Sequence, residues 1–413
     1  MKYATIMMLA FVLHISSNAQ EAQWRGPDRN GIYPETSLLE EWPENGPEMI
    51  LKVEDLGTGY SSPIFSNGII YITGRKGDRD YLSAVDINGN LVYQVSYGQA
   101  WDQTYPESRC TPTLDGDRIY VVSGKGEIVC LNATNGEKVW SVNAHEKYSG
   151  ELHRWGLAES PLIVDDVVIY TTGGKVSSVV AFNKFNGQEI WKAESTGDYR
   201  AYVSPVLYEN GKVRLIIAVT GNYVLGISPE DGRISAQYTY LPDDPNAQRG
   251  ATNNTNSPLI RGDEIFISKG YDQYGVMLKL ENDGKSLKEI WRSSTLDTHH
   301  GHYVYAGNYL FGSNWLSNSK GNWVCLDWKS GKVMFEEEWI TKGSVVYADG
   351  MLYCYEERSG NLALVNPNPK KFDIVSSFKI ELGSGPHWAH PYIADGKLLV
   401  RHGEVLMVFD INA

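Results

Sequence analysis

Five of the nine histidines in the chain fall in two short segments, His299-His300-Gly301-His302 and His387-Trp388-Ala389-His390. Imidazole nitrogens bind transition metals and move protons near neutral pH. His300, His302, His387 and His390 are therefore candidate metal ligands, with Glu159 or Asn256 as oxygen donors. His300-x-His302 is strand alternation and His387-x-x-His390 a loose spacing, so neither reproduces the His-Glu-x-x-His zinc signature. A second chemistry stands beside the first. Tyr60, Trp155, Tyr202 and Trp388 offer rings for stacking. Arg109, Arg200 and Lys342 can pair with a carboxylate, and Asn and His can serve hydroxyls. That set suits a carbohydrate-like ligand. If the group is catalytic, β-elimination from a uronic acid fits it best. Arg or Lys would neutralise the carboxylate, and Tyr202 or His302 would take the α proton. The competing explanation is structural: these side chains fill a hydrated channel and satisfy backbone groups there.

What gathers these residues is a repeat. A small polar residue and a proline precede an apolar strand at Ser62-Pro63, Thr111-Pro112, Ser160-Pro161, Ser204-Pro205 and Ser257-Pro258. Weaker copies align at His302, Val345 and His390-Pro391, so the proline position recurs every 43 to 53 residues. A period in the forties filled with short strands is the mark of a β-propeller. The expected fold is all-β, an eight-bladed β-propeller with repeats starting near 61, 110, 159, 203, 256, 300, 343 and 389. Seven blades is the fallback if a degenerate repeat fails to form one. In such a ring, the segments joining each outer strand to the next inner strand converge on one face around the axis. The candidates named above sit just before the proline positions, so they are expected to share that face.

Within a repeat, Asn, Asp and Gly turns separate the strands, as at Asp115-Gly116-Asp117 and Asn135-Gly136 in the second. Trp140, Trp191 and Trp291 fall on outer strands, where a large ring can cover the gap between blades. Blades 4 and 7 are degenerate at this position. The last repeat ends at Phe409 without an outer strand, and the segment from Glu48 to Val53 has the pattern of one. The N-terminal strand is therefore expected to close the last blade and remove the open edges.

The formal net charge of −13 disfavours a nucleic-acid partner and electrostatic docking on anionic lipid. No apolar run is long enough for a membrane-spanning helix. Residues 1–19 read as a signal peptide, with Lys2, an apolar stretch from Ile6 to Val12, and a cleavage site near Ala19-Gln20. No cysteine follows that stretch, so no lipid anchor is expected. The product is expected to be periplasmic or secreted, a monomer, with residues 20–413 as one domain. The four cysteines are expected to be free buried thiols, since Cys130 and Cys325 occupy equivalent positions in distant blades.

The pattern Ser-Pro, apolar strand, Val-Cys130-Leu-Asn132, Asn135-Gly136-Glu137, Trp140 resembles the quinoprotein-like (PQQ-like) repeat. A second copy runs through Val180-Ala181-Phe182-Asn183, Asn186-Gly187-Gln188 and Trp191. That repeat is shared by PQQ-dependent alcohol dehydrogenases and by the outer-membrane assembly factor family of eight-bladed propellers. The opening Trp24-Arg25-Gly26-Pro27-Asp28-Arg29-Asn30-Gly31 resembles the start of exported PQQ-like propellers. The dehydrogenase resemblance implies PQQ held beside Ca²⁺ under an adjacent Cys-Cys disulfide, and no two cysteines here are adjacent. Glu159 and Asn256 stand near the right kind of position for the ion, but no matching Asp motif or haem site is present. The expected role is recognition of a carbohydrate-like ligand or an envelope protein through the axial loop face. The alternatives are a quinoprotein-type oxidoreductase using PQQ and Ca²⁺, or a propeller polysaccharide lyase.

Overall fold

Short apolar segments bounded by glycine and Asx turns dictate short antiparallel strands, and the sequence supplies such a unit eight times. In the computed structural model, which describes residues 22–150, 154–241 and 252–413, they form eight sheets arranged as the blades of a β-propeller. Blades 1 to 7 occupy residues 64–99, 113–143, 162–192, 206–239, 259–293, 303–337 and 343–379. A short strand, β1 (Ile32–Tyr33), adds in parallel to the inner strand of blade 7, so that blade has five strands. Blade 8 takes three strands from residues 392–410 and its outer strand from β2 (Met49–Val53). In that pairing Met49 lies opposite Phe409 and Val53 opposite Leu406. The ring thus closes with the N-terminal strand, and blades 4 and 7 form complete sheets despite their degenerate repeats. The expected signal peptide lies outside the described residues, as do residues 242–251 of the long connection between blades 4 and 5.

Closure is bolted as well as paired. Arg401, fully buried in blade 8, donates to Gly57 O at 2.9 Å, Gly403 O at 2.8 Å and Ser61 Oγ at 2.6 Å. Its guanidinium therefore ties the last blade to the residues that enter blade 1.

The repeated hydroxyl has a physical reason. Ser62 N–H donates to Thr111 Oγ1 (3.0 Å), Thr111 N–H to Ser160 Oγ (3.2 Å), and Ser160 N–H to Ser204 Oγ (2.9 Å). The entries of blades 1 to 3 are thereby satisfied by the side chain at the same place in the next blade, around the axis, where water would otherwise be needed. Ser257 N–H continues the pattern by donating to His302 Nε2 at 2.9 Å. His302 thus stands at the hydroxyl position of its repeat, one residue away from the proline position at which the sequence aligns it.

The outer strands carry a second regularity. In all eight blades the ladder between the third and outer strands shifts register, as a bulge does. The extra residue includes Ile50, Val92, Val139, Ile190 and Ile290, all exposed. The next residue turns inward to the neighbouring blade. Trp140 donates its indole N–H to Lys184 O (2.9 Å), Trp191 to Pro229 O (2.8 Å) and Trp291 to Trp328 O (3.1 Å). Tyr93 uses its hydroxyl on Ala133 O in the same way, at 3.1 Å. Each ring lies over a turn glycine with positive φ; a Cβ on Gly187 (φ +72°) would sit 2.7 Å from the Trp140 ring. Gly187→Ala is therefore expected to cost about 2 kcal/mol, from backbone strain and displacement of the indole, read by urea unfolding.

The four cysteines are buried and unpaired. Burial pushes the thiols of Cys110, Cys130 and Cys325 up to about 12, which leaves them inert at neutral pH.

Candidate functional site

The loop face is organised around a feature the sequence shows only as a motif. The segment Ala22–Gly31 runs across the propeller axis and holds it shut. Arg29 Nη1 donates to Ser160 O (3.0 Å) and Pro205 O (3.1 Å), its Nη2 donates to Pro161 O and Thr113 Oγ1, and its Nε donates to Gln23 Oε1 (2.6 Å). One side chain thus meets blades 2, 3 and 4. Arg25 serves the other half of the ring, donating to Tyr303 O (2.9 Å), Val345 O (3.1 Å) and His390 Nδ1 (2.9 Å) in blades 6, 7 and 8. Trp24 packs its ring at 5.3 Å from His302 and 4.8 Å from His390. Burial draws the Arg29 guanidinium down to about 9 against the opposing pull of Glu159, so it stays charged at neutral pH.

This plug engages two of the candidate histidines. An arginine only donates, so His390 Nδ1 must accept, and its Nε2 carries the proton it gives to His300 O at 3.0 Å. His302 Nε2 accepts from Ser257 N–H, so its Nδ1 carries the proton, facing His300 O at 3.2 Å. Both rings are neutral with both nitrogens occupied, and burial holds both well below the usual histidine range. His387 stands apart from them, stacked at 3.6 Å on His402 and bonded through Nδ1 to Tyr355 Oη at 2.5 Å. The four histidines therefore do not converge as a ligand set.

The polar candidates divide likewise. Glu159 and Arg200 form a buried ion pair at 2.9 Å, with Thr171 N–H on the carboxylate and Tyr170 Oη on the guanidinium. Burial pushes the Glu159 carboxyl up while Arg200 pulls it down. Asn256 accepts from His302 N–H at 3.1 Å and donates to Ser268 O and Thr298 O. Trp155 and Tyr202 pack on each other at 5.7 Å, with the Trp155 N–H donating to the Tyr202 hydroxyl at 3.3 Å.

The remaining candidates form a partly exposed cluster. Trp388 packs at 4.8 Å from Tyr60, 5.0 Å from Tyr105 and 5.1 Å from His300. Arg109 lies 5.7 Å over the Tyr60 ring. Below the histidine, Lys342 Nζ meets Glu357 Oε1 at 2.7 Å and also donates to Ser317 O and Asn318 O. Burial raises the Glu357 carboxyl to about 7 against the pull of Lys342. Sequence reasoning missed Glu357 because it lies in a turn between the second and third strands of blade 7, with no fixed offset from a proline. Trp24, Arg25 and Arg29 were visible as a motif, but nothing in their spacing says that they cross the axis.

Asp297 and Asp80, near this face, have no ion partner in contact among the described residues. Asp297 accepts Trp315 N–H and Asp272 N–H, and Asp80 accepts Gly124 N–H. Burial lifts Asp297 to about 8 and Asp80 to about 6. Unfolded, both titrate near about 4, so the fold holds their protons more tightly than the open chain does. Their contribution to stability is full below that value and is lost as pH rises through 6 and 8. The depressed histidines oppose this below the ordinary histidine value, so the melting temperature is expected to fall only from about pH 7 to about pH 8, and Asp297→Asn to flatten that slope in calorimetry.

The residues present do not fit PQQ with Ca²⁺. The oxygens of Glu159 and Asn256 are turned to Arg200, Thr171 and His302, and the cysteines are separate buried thiols. Residues 78–363 match the model of the family described as outer membrane protein assembly factor BamB. The chain belongs to that family. A BamB of Salmonella typhimurium is 23% identical over 282 residues, covering 66% of this chain and 67% of that one. A BamB of Moranella endobia is 25% identical over 195 residues, 46% of this chain and 43% of the relative, so the chain spans less than half of that protein. Among solved structures, BamB from Moraxella catarrhalis superposes with a TM-score of 0.64 at 13% identity, over 88% of this chain and 97% of that one. Quinohemoprotein alcohol dehydrogenase from Comamonas testosteroni gives 0.66 at 11%, over 92% and 79%. At such identities these two establish the shared propeller fold, and the BamB family membership rests on the sequence match.

Proposed function

We propose that this BamB-family propeller is an exported recognition module that docks another envelope protein on its axial loop face. The observation that carries this is the distribution of exposed apolar side chains. Tyr105 is 46% exposed, Tyr199 50%, Leu316 52% and Ile340 47%, all on loops of the same face as Trp388 and Arg109. On the loops of the opposite, hairpin face, Phe185 is the large apolar side chain so exposed among the described residues, while Met49, Leu91, Val92 and Ile190 are exposed on the outer strands near that end. Aromatic residues and arginine are enriched where proteins meet, and a solvated aromatic face without a partner is unfavourable. The names of the curated relatives, outer membrane protein assembly factors, support a partner of the envelope. The apolar segment in residues 1–19 supports export to that compartment.

A carbohydrate-like ligand at the Tyr60, Tyr105 and Trp388 cluster is a second reading, favoured by Arg109 beside the rings. The test is photo-crosslinking in cells with a reactive residue at Tyr105 or Tyr199, and at Phe185 as the opposite-face control. A discrete adduct with an envelope protein from the first two positions only is the expected result. Equal labelling from all three positions, or none, would reject the docking face, and a glycan array would then decide the second reading.

A further inference from the structure

The cluster beneath Trp388 holds an arrangement that neither the family match nor the docking proposal uses. His299 and His300 are consecutive on the loop entering blade 6, with ring centroids 4.2 Å apart. Glu357 comes from blade 7 and places Oε2 at 3.5 Å from His300 Nε2. One ligand atom from each of the three lies within 4.8 Å of the others. Two ring nitrogens here, His299 Nδ1 and His300 Nε2, are buried without a hydrogen-bond partner. A buried polar atom with nothing to bond is unfavourable, and two on consecutive residues near a carboxylate call for an occupant.

The surroundings are built for ligation. His299 Nε2 is engaged by the Tyr271 hydroxyl at 3.0 Å, which fixes the ring and leaves Nδ1 available, as outer partners do for metal-bound histidine. Lys342 anchors Glu357 through Oε1, which restrains the carboxylate while Oε2 stands toward His300. Both histidines keep partial exposure, which leaves an ion a path in from solvent.

We propose that His299, His300 and Glu357 bind one first-row transition-metal ion, of the zinc(II) type, on the loop face. Two imidazoles and one carboxylate are the donors such an ion prefers, whereas calcium and magnesium prefer oxygen alone. Three protein ligands leave a fourth position for water or a ligand atom. Donors around a tetrahedral zinc stand about 3.3 Å apart, so binding draws the three together by ring rotation. The neighbouring Lys342 ammonium repels a dication, so affinity falls short of a closed structural zinc site. The site stands on its own donors and does not depend on the protein-partner reading.

The test uses the purified full chain, stripped with a chelator and titrated with zinc chloride by calorimetry. Cobalt(II), followed by visible absorption, reports the ligand field. One ion per chain is expected, with cobalt bands typical of a nitrogen and oxygen site. His300→Ala and Glu357→Gln should each abolish the one-to-one transition, Tyr271→Phe should weaken it about tenfold, and His387→Ala should leave it intact. Each variant is melted first. If Glu357→Gln does not fold, His300→Ala decides, because that side chain is partly exposed. Absence of a one-to-one transition in the parent, or its persistence in His300→Ala, would overturn the proposal.

Discussion

Arg29→Met is expected to lower the free energy of unfolding by about 3 kcal/mol or more. The guanidinium, buried at the axis, meets carbonyls of Ser160, Pro161 and Pro205 and the hydroxyl of Thr113. Methionine fills a similar volume and supplies no donor, so the Pro205 carbonyl and the Gln23 side-chain oxygen lose the arginine that donates to them. Arg29→Lys is the informative companion. It keeps the charge but replaces a planar fork by a point donor that cannot serve three blades at once, so it should recover less than half of the loss. Chemical denaturation of the three proteins checks this. Equal stability of Arg29→Lys and the parent would mean that charge, not the fork, holds the plug.

Arg401→Met is expected to cost a similar amount, about 3 kcal/mol, but to show it differently. The loss falls at the seam between the two ends of the chain, where Arg401 ties Gly57, Ser61 and Gly403. Sub-global opening should therefore appear first in the strands that close the ring. Hydrogen exchange is expected to accelerate in Met49–Val53 and Val405–Asp410, while blades 3 to 5 exchange as in the parent. Uniform acceleration around the ring would show that closure is not a separable event.

The fold was legible because its determinants are local and repeated. A hydroxyl before proline, an Asx turn and an outer-strand indole recur at fixed offsets, and each proves to make the same bond in successive blades. The unpaired strand at Glu48–Val53 was legible by the same logic, since the last repeat lacked what it supplies. The site was legible only as a set of residues on one face. Which of them touch was not, because the plug from Trp24 to Gly31 comes from outside the repeat and decides the fate of His302 and His390. Glu357 escaped for the opposite reason: it belongs to a turn whose length varies from blade to blade. A pattern read along the chain finds what the repeat imposes and misses what the repeat merely permits.

The register shift found in every outer strand bears on how this molecule meets its surroundings. A propeller has eight outward sheet edges, each a template on which another chain could add a strand. A kink at the same level of each blade makes those templates discontinuous and strongly twisted, with a branched side chain such as Ile190 or Ile290 standing in the way. Strand donation at the rim is thereby discouraged eight times over. Another chain that meets the circumference finds no continuous edge on which to add a strand.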